Sequence, residues 1–229
     1  MFKFLLFFAL ILILPGLLMA DDCVQCHKET TPGIVTDWEL SKHSENDISC
    51  GDCHGENHKT ADDFANVNIP TPQTCNECHE TQVEQFSKGK HAVAWAALKA
   101  MPTTHHLPGP LNDGMKGCGG CHKIGLKSDE QIAELKADGH GFGVASCDAC
   151  HTRHTFSVKE AQQPQACQTC HMGFDHPQWE MYSSSKHGVR ALLKQNGTLP
   201  ETASAPTCQT CHMQEGNHEV RTAWGFLAV

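Results

Sequence analysis

One short pattern recurs along the whole chain and constrains what it can fold into: every cysteine belongs to a Cys-x-x-Cys-His motif. The sequence has 229 residues and 14 cysteines, and no cysteine is left over. The seven motifs are Cys23-Cys26-His27, Cys50-Cys53-His54, Cys75-Cys78-His79, Cys118-Cys121-His122, Cys147-Cys150-His151, Cys167-Cys170-His171 and Cys208-Cys211-His212. Paired cysteines in a secreted protein ordinarily indicate disulfides, but a disulfide framework does not require a histidine after each pair.

The motif has a chemical explanation in haem attachment. Two thiols three residues apart can add to the two vinyl groups of one haem, and the adjoining histidine then supplies a nitrogen to the iron. A zinc site needs four ligands and does not place a histidine after each pair seven times. A thioredoxin-like redox pair would occur once, within a βαβ pattern. The sequence therefore predicts seven covalent c-type haems as cofactors, with the seven motif histidines as iron ligands.

The number of haems sets the expected fold. Hydrophobic residues make up only 39% of the chain, so the porphyrins must supply much of the core. We predict a mainly α protein in which helices and loops wrap around a chain of stacked haems, with little or no sheet. The net charge of -9 is spread without blocks, which excludes a basic nucleic-acid face.

The first 20 residues have the organisation of a secretory signal. Lys3 precedes an apolar run, and a Pro15-Gly16 break and Ala20 stand before Asp21. This order indicates an exported chain, periplasmic or otherwise outside the cytoplasm, with a signal peptide at 1–20 and one multihaem domain at 21–229. An uncleaved membrane anchor is the alternative.

Ten histidines lie outside the motifs and are candidates for the sixth iron ligand. Three segments carry a Lys-His pair after an aromatic residue and indicate amphipathic helices that end in His43, His91 and His187. Three more histidines follow a motif closely, and we expect each to bind a neighbouring haem. The predicted distal ligands are His43, His58, His91, His176, His187 and His218. Packing is the expected role of Met172 and Met213.

The fourth motif differs from the others because glycine surrounds it, in the run from Asn112 to His122. Glycine lets the backbone approach a haem closely and adds no side-chain wall. This composition fits a haem whose sixth position is open to substrate, and it equally fits a flexible loop.

Several runs together resemble the hydroxylamine oxidoreductase family of octahaem cytochromes. They are Cys147-Asp-Ala-Cys-His-Thr-Arg-His-Thr-Phe-Ser157, Cys167-Gln-Thr-Cys-His-Met-Gly-Phe-Asp-His-Pro-Gln-Trp-Glu180, Ser185-Lys-His-Gly188 and Ala205 through His218. The resemblance implies a helical protein, usually a homotrimer, with eight haems of which the fourth is catalytic. By motif order His122 is its proximal ligand, and His154 matches the distal histidine that faces the open site.

The chain departs from this family in three respects. The eighth motif and the C-terminal helical region are absent, so we expect a truncated sequence whose full-length form carries an eighth haem. Family members that oxidise hydroxylamine have a tyrosine from the C-terminal region linked to the catalytic haem, whereas the single tyrosine here is Tyr182. Neither Asp138 nor Asp148 aligns cleanly with the family's active-site aspartate.

Two functions follow from these observations. In the first, the protein oxidises hydroxylamine or reduces nitrite or hydroxylamine at the fourth haem, with His154 moving protons and Arg153 or the backbone holding the anion. Its partners are then a small inorganic nitrogen substrate and a redox partner, either a soluble or membrane cytochrome or a quinone-linked protein. In the second, it is a non-catalytic electron-transfer cytochrome in which every haem is six-coordinate.

Overall fold

The computed structural model describes residues 21–100, 117–137, 146–173 and 176–221. These ranges consist of helices and connecting turns and contain no strand, which confirms the predicted mainly α fold. The α-helices are α1 (Asp21–Thr30), α2 (Pro32–Glu39), α3 (Lys42–Glu45), α4 (Cys50–His54), α5 (Pro72–Asn76), α6 (Glu80–Lys88), α7 (Ala94–Ala100), α8 (Cys118–His122), α9 (Asp129–Ala137), α10 (Val158–Ala161), α11 (Gln165–Gln168), α12 (Gln178–Ser183), α13 (Lys186–Gln195) and α14 (Cys208–His212). Short 3₁₀ helices span Ala61–Asn66, Lys90–Val93, Cys147–Ala149 and Gln214–Gly216.

The Lys-His pairs open new helices, whereas the sequence pattern predicted that they end the preceding ones. Serine side chains explain two of the breaks. Ser41 accepts a hydrogen bond from the N–H of Ser44 and begins α3, and Ser185 accepts one from the N–H of Gly188 and begins α13. A serine at the N-cap satisfies an amide that has no partner inside the helix. Each predicted long helix is therefore two short ones that meet at a cap.

The apolar core of the described residues is small and lies between α7 and α9. Trp95 and Leu98 from α7 pack with Leu135 from α9, and Ile69 and Ile132 lie against them. Trp95 is 3% exposed and Leu98 1%. Protein packing is therefore concentrated at one place, beside the helix that carries the fourth motif.

Hydrogen bonds from side chains to backbone fasten the other motif segments. The Trp38 indole N–H donates to the carbonyl of Ile48 at 3.1 Å and so ties α2 to the turn before α4. The Tyr182 hydroxyl donates to the carbonyl of Pro206 at 2.9 Å, next to the seventh motif. Burial raises the pKa of this tyrosine to about 12. The single tyrosine thus holds a loop in place.

Several predicted features lie outside the described residues. They are the signal segment 1–20, the glycine-rich run before Gly117, His105, His106, Asp138, His140 and the C-terminal residues from 222. Within the described ranges, none of the helices combines the length and apolar character that crossing a membrane requires.

Candidate haem sites

Each motif forms one helical turn that presents its three functional side chains together. Residues three and four apart share a face of a helix, so both thiols and the imidazole lie on one side. The backbone confirms the turn where no longer helix surrounds it. The N–H groups of His79, His151 and His171 donate to the carbonyl of the first cysteine in their own motif, at 2.8, 3.0 and 2.9 Å.

Six motif histidines have a second imidazole at a nearly constant distance. The ring centres are 6.0 to 6.3 Å apart in the pairs His27–His58, His54–His154, His79–His43, His122–His176, His151–His218 and His171–His91. The angles between the ring planes vary from 16° to 76°. Direct stacking would fix the angle and shorten the distance, so the constant separation has another cause.

The separation fits two ligands on opposite sides of one iron. Metal–imidazole bonds are about 2.0 to 2.1 Å long and a ring centre lies about 1.1 Å beyond its nitrogen, so two such rings have centres about 6.2 Å apart. Rotation about the metal–nitrogen bond leaves the ring angle free. With two thiols beside each motif histidine, the residues present fit a c-type haem at each of the six pairs.

The second histidine of each pair comes from a different stretch of the chain. His58 follows the second motif and faces the first, while His154 follows the fifth motif and faces the second. His43 precedes the second motif and faces the third. The pairs therefore join segments that are distant in sequence.

Burial favours the neutral form of several of these imidazoles, which is the form that binds a metal. It lowers the pKa of five of them from the ordinary value, namely His43, His91, His151, His154 and His171. Only a neutral imidazole has a nitrogen lone pair for a metal, so a lowered pKa keeps the ligand competent at neutral pH.

Thiols of different motifs also lie in contact. Side-chain hydrogen bonds join Cys75 to Cys147, Cys167 to Cys208, and Cys121 to Cys170. The hydrogen bond from the Cys147 thiol lowers the pKa of the Cys75 thiol below its ordinary value. These contacts bring the third motif beside the fifth, and the sixth beside both the fourth and the seventh.

Hydrogen bonds at Nδ1 orient three of the motif histidines. The Nδ1 atom of His27 lies 2.7 Å from the Thr31 hydroxyl, that of His54 lies 3.0 Å from the Asn68 carbonyl, and that of His122 lies 3.0 Å from the Ala94 carbonyl. A carbonyl only accepts, so Nδ1 carries the proton and leaves Nε2 for the iron.

The fourth motif is anchored on the protein core. The Leu126 N–H donates to the Ala92 carbonyl at 2.8 Å. Gly125 lies so close to Trp95 that a Cβ there would overlap the Trp95 backbone. The Lys127 ammonium donates to the carbonyls of Lys123 and Gly125 and lies 5.0 Å from the centre of the Trp95 ring. The residues after His122 therefore form a rigid support, called the proximal loop (123–127) below.

The structure places the predicted catalytic residues beside other motifs than the family resemblance implies. His154 pairs with His54 of the second motif at 6.0 Å. The ring that lies 6.3 Å from His122 belongs to His176, which is also 6.3 Å from His171. The Arg153 guanidinium Nε lies 3.1 Å from a carboxylate oxygen of Asp148, whose side chain is 9% exposed. Burial raises the pKa of Asp148, although the Arg153 charge opposes this.

Two predicted or motif histidines have no partner ring at this distance among the described residues. His187 is exposed at the start of α13, and His212 closes α14. Four further residues orient the imidazoles, and no motif in the sequence marks them: Thr31, Asn68, Asp63 and Ala94. Two of these contacts use backbone carbonyls, which no residue type reveals.

Comparison with known proteins agrees with these motifs. Residues 46–227 match a family described as "Seven times multi-haem cytochrome CxxCH". The chain belongs to this family. It therefore contains covalent c-type haem iron and transfers electrons.

Relatives of this cytochrome include larger proteins. It is 32% identical to a "Probable nitrite reductase-hydroxylamine oxidoreductase fusion protein" of Kuenenia stuttgartiensis, over 87% of the chain and 26% of that protein. It is 34% identical to a chain of the Kuenenia stuttgartiensis reducing HAO-like protein complex, with a TM-score of 0.61 over 85% of the cytochrome and 41% of that chain. A "Hypothetical multiheme protein" is 25% identical, with a TM-score of 0.57 over 85% of the cytochrome and 52% of that chain. The cytochrome thus spans about a quarter to a half of their lengths.

Proposed function

We propose that this cytochrome is an oxidoreductase that acts on hydroxylamine or nitrite at the fourth haem, while its other haems carry electrons. The observation that carries the proposal is the arrangement at His122. Its proximal loop is fixed on the core, and the ring across from it, His176, is equally distant from His171. His171 already has the His91 ring across from it at 6.1 Å, so the proposal rests on the anchored proximal side of the fourth haem and takes His176 as a distal proton-exchanging residue there. The names of the two Kuenenia relatives support the same chemistry.

The residues at the fourth motif have separate roles in the proposed reaction. Cys118 and Cys121 would hold the haem, and His122 would bind its iron through Nε2, because Nδ1 donates to the Ala94 carbonyl. The haem iron would bind the substrate nitrogen and exchange electrons with it. His176 takes the place of the predicted His154 as the proton donor and acceptor, because its ring lies across from His122 and an imidazole can exchange protons near neutral pH.

We assign structural roles to the two residues first predicted for catalysis. His154 would be the distal ligand of the second haem, because its ring lies 6.0 Å from His54. Arg153 already neutralises Asp148 across 3.1 Å, and a guanidinium paired with a buried carboxylate has less charge to offer a substrate anion.

The neighbouring motifs suggest a route for electrons that departs from chain order. Cys23 lies near Cys50 and Cys53 near Cys75. Thiol contacts then link the third motif to the fifth and the sixth to the fourth. Cys150 of the fifth motif lies near Cys167 of the sixth. The proposed route is first, second, third, fifth, sixth and fourth haem, with the seventh beside the sixth.

The proposal extends to the setting of the protein. Haem should be attached at all seven motifs, and the segment 1–20 should direct export to the periplasm or another compartment outside the cytoplasm. A redox partner delivers or removes electrons, in keeping with a relative that is part of a complex. A homotrimer remains part of the proposal by family resemblance.

Electron transfer without catalysis is the second candidate. It is favoured by the 6.3 Å between His122 and His176, which matches the other pairs. If His176 binds iron permanently, all six paired haems are six-coordinate and none is open to substrate.

Paramagnetic resonance of the oxidised protein, combined with two variants, separates the candidates. Under the catalytic proposal, His176→Ala lowers turnover of hydroxylamine or nitrite on the order of 10²-fold and leaves the number of high-spin haems unchanged. His154→Ala is the matched control and should convert a low-spin haem to high spin. One additional high-spin haem in His176→Ala, together with an unmodified protein that turns over neither compound, would favour electron transfer alone.

A further inference from the structure

One distal histidine is hydrogen-bonded to a carboxylate. The Nδ1 atom of His58 lies 2.8 Å from Oδ1 of Asp63, and both side chains are partly shielded, at 26% and 30% exposure. The His58 ring is 6.1 Å from that of His27 in the first motif. Its Nε2 is therefore the nitrogen available to the first haem, and Nδ1 is the nitrogen that Asp63 contacts.

The backbone holds this carboxylate in place. Asp63 is the third residue of the 3₁₀ helix that Thr60 caps, and its oxygens accept hydrogen bonds from the N–H groups of Lys59 and Thr60 at 2.9 to 3.1 Å. Two backbone N–H groups, one of them shared between both carboxylate oxygens, fix the orientation of the carboxylate before any haem is present. The contact with His58 is thus built into the capping turn.

The partner of an axial imidazole affects the charge that the imidazole gives to iron. A carboxylate draws the Nδ1 proton toward itself more strongly than a neutral oxygen does, which makes the imidazole a stronger electron donor and favours ferric over ferrous iron. Of the motif histidines described above, His27 faces a hydroxyl, and His54 and His122 face carbonyls. One histidine of the first haem is therefore hydrogen-bonded to a neutral hydroxyl, and the other to a carboxylate.

We propose that Asp63 is a positioning residue that lowers the reduction potential of the first haem through His58. The proton stays between Nδ1 and Oδ1, and only one electron moves when the iron changes oxidation state. Because the first motif lies at one end of the row of neighbouring motifs, a low potential there favours electron movement from this haem into the row. The inference requires a haem at the first motif and not turnover at the fourth.

Asp63→Asn tests the proposal in the fully haem-loaded protein. It removes the charge and keeps a side chain of the same shape. Asp62→Asn is the matched control. Asp62 is the exposed neighbour of Asp63, and its substitution removes the same charge from the same helix. The readout is a redox titration followed by optical and paramagnetic resonance spectra, which report each haem separately from activity.

In Asp63→Asn, one haem should be about tenfold more reduced at a fixed potential, which is a shift of about 59 mV for one electron, and it should stay low-spin. Asp62→Asn should shift no haem by a comparable amount. Equal shifts in the two variants would show a general charge effect and overturn the proposal, as would no shift or a change to high spin. If Asp63→Asn gives no folded protein, Asp63→Ser decides, because it also removes the charge: a shift of the same sign supports the proposal, and an unchanged potential overturns it.

Discussion

The first and fourth motifs hold their axial histidines by opposite means. At the first motif, side chains do so: Thr31 contacts His27, and Asp63 contacts His58 from a capping turn. At the fourth, the backbone of α7 binds His122 and the proximal loop packs on Trp95. Side chains adjust the electronic character of a ligand, whereas packing fixes its position. The comparison indicates that the first haem is tuned and the fourth is held rigid.

The largest effect is expected from disrupting the rigid support of the fourth motif. In Gly125→Ala the added Cβ overlaps the backbone of Trp95, so the proximal loop must move away from α7. Overpacking of this kind costs about 1 to 3 kcal/mol. We expect that loss in the free energy of unfolding by denaturant, together with an altered optical spectrum of the fourth haem.

Gly33→Ala is the control for this substitution. A Cβ on Gly33, inside α2, meets nothing within 4 Å, so alanine should stabilise that helix by about 0.5 to 1 kcal/mol. Loss of stability in both variants, or in neither, would show that the close approach to Trp95 is not what fixes the loop.

A second test probes the charge beneath the fourth motif. Burial lowers the pKa of Lys127 to about 8, whereas an unfolded lysine titrates near 10.4. Between these values the unfolded chain binds the extra proton, so this group adds stability as pH rises from about 8 to about 10.4. In Lys127→Met that increment should be absent.

The measurement is denaturant unfolding of both proteins at several pH values. The difference in unfolding free energy between the unmodified protein and Lys127→Met should move in favour of the unmodified protein across that window. Lys42→Met, at an exposed lysine that forms a surface ion pair with Glu45, should show no such trend. A difference that is constant with pH would contradict the lowered pKa.

The smallest effect is expected at the first haem, in the variant Thr31→Val. This variant removes the neutral hydroxyl partner of His27 and leaves Asp63 in place. A neutral hydrogen bond contributes about half as much as a charged one, so the first haem should shift by less than in Asp63→Asn. A shift as large as that of Asp63→Asn, in the same redox titration, would remove the distinction between the two partners.

Haem attachment and the mainly α fold could both be predicted from the sequence, because both depend on residue type and spacing. Seven Cys-x-x-Cys-His motifs specify haem attachment locally, and the scarcity of apolar residues predicts a helical chain with a small core. The structure contains that core at α7 and α9.

The assignment of distal histidines is not local, so sequence supplied candidates without their partners. His58, His176 and His218 follow one motif and face another, which the short distance along the chain indicated without naming the partner. His154 resembled a catalytic residue because the run around it is shared with a family, yet its neighbour is His54. The Lys-His segments misled about helix boundaries because a serine cap outweighed apolar periodicity.

The exchange of histidines between segments bears on how the protein is made. His154 is synthesised 100 residues after His54, its partner (154 minus 54). In the proposed assignment of His154 to the second haem, one face of that haem stays uncovered until the segment around His154 folds back onto it. In the proposed assignments, the first, second, fourth and fifth haems have their facing histidine in a later segment, whereas the third and sixth have it in an earlier one. An interruption downstream would therefore leave those four haems uncovered on one side.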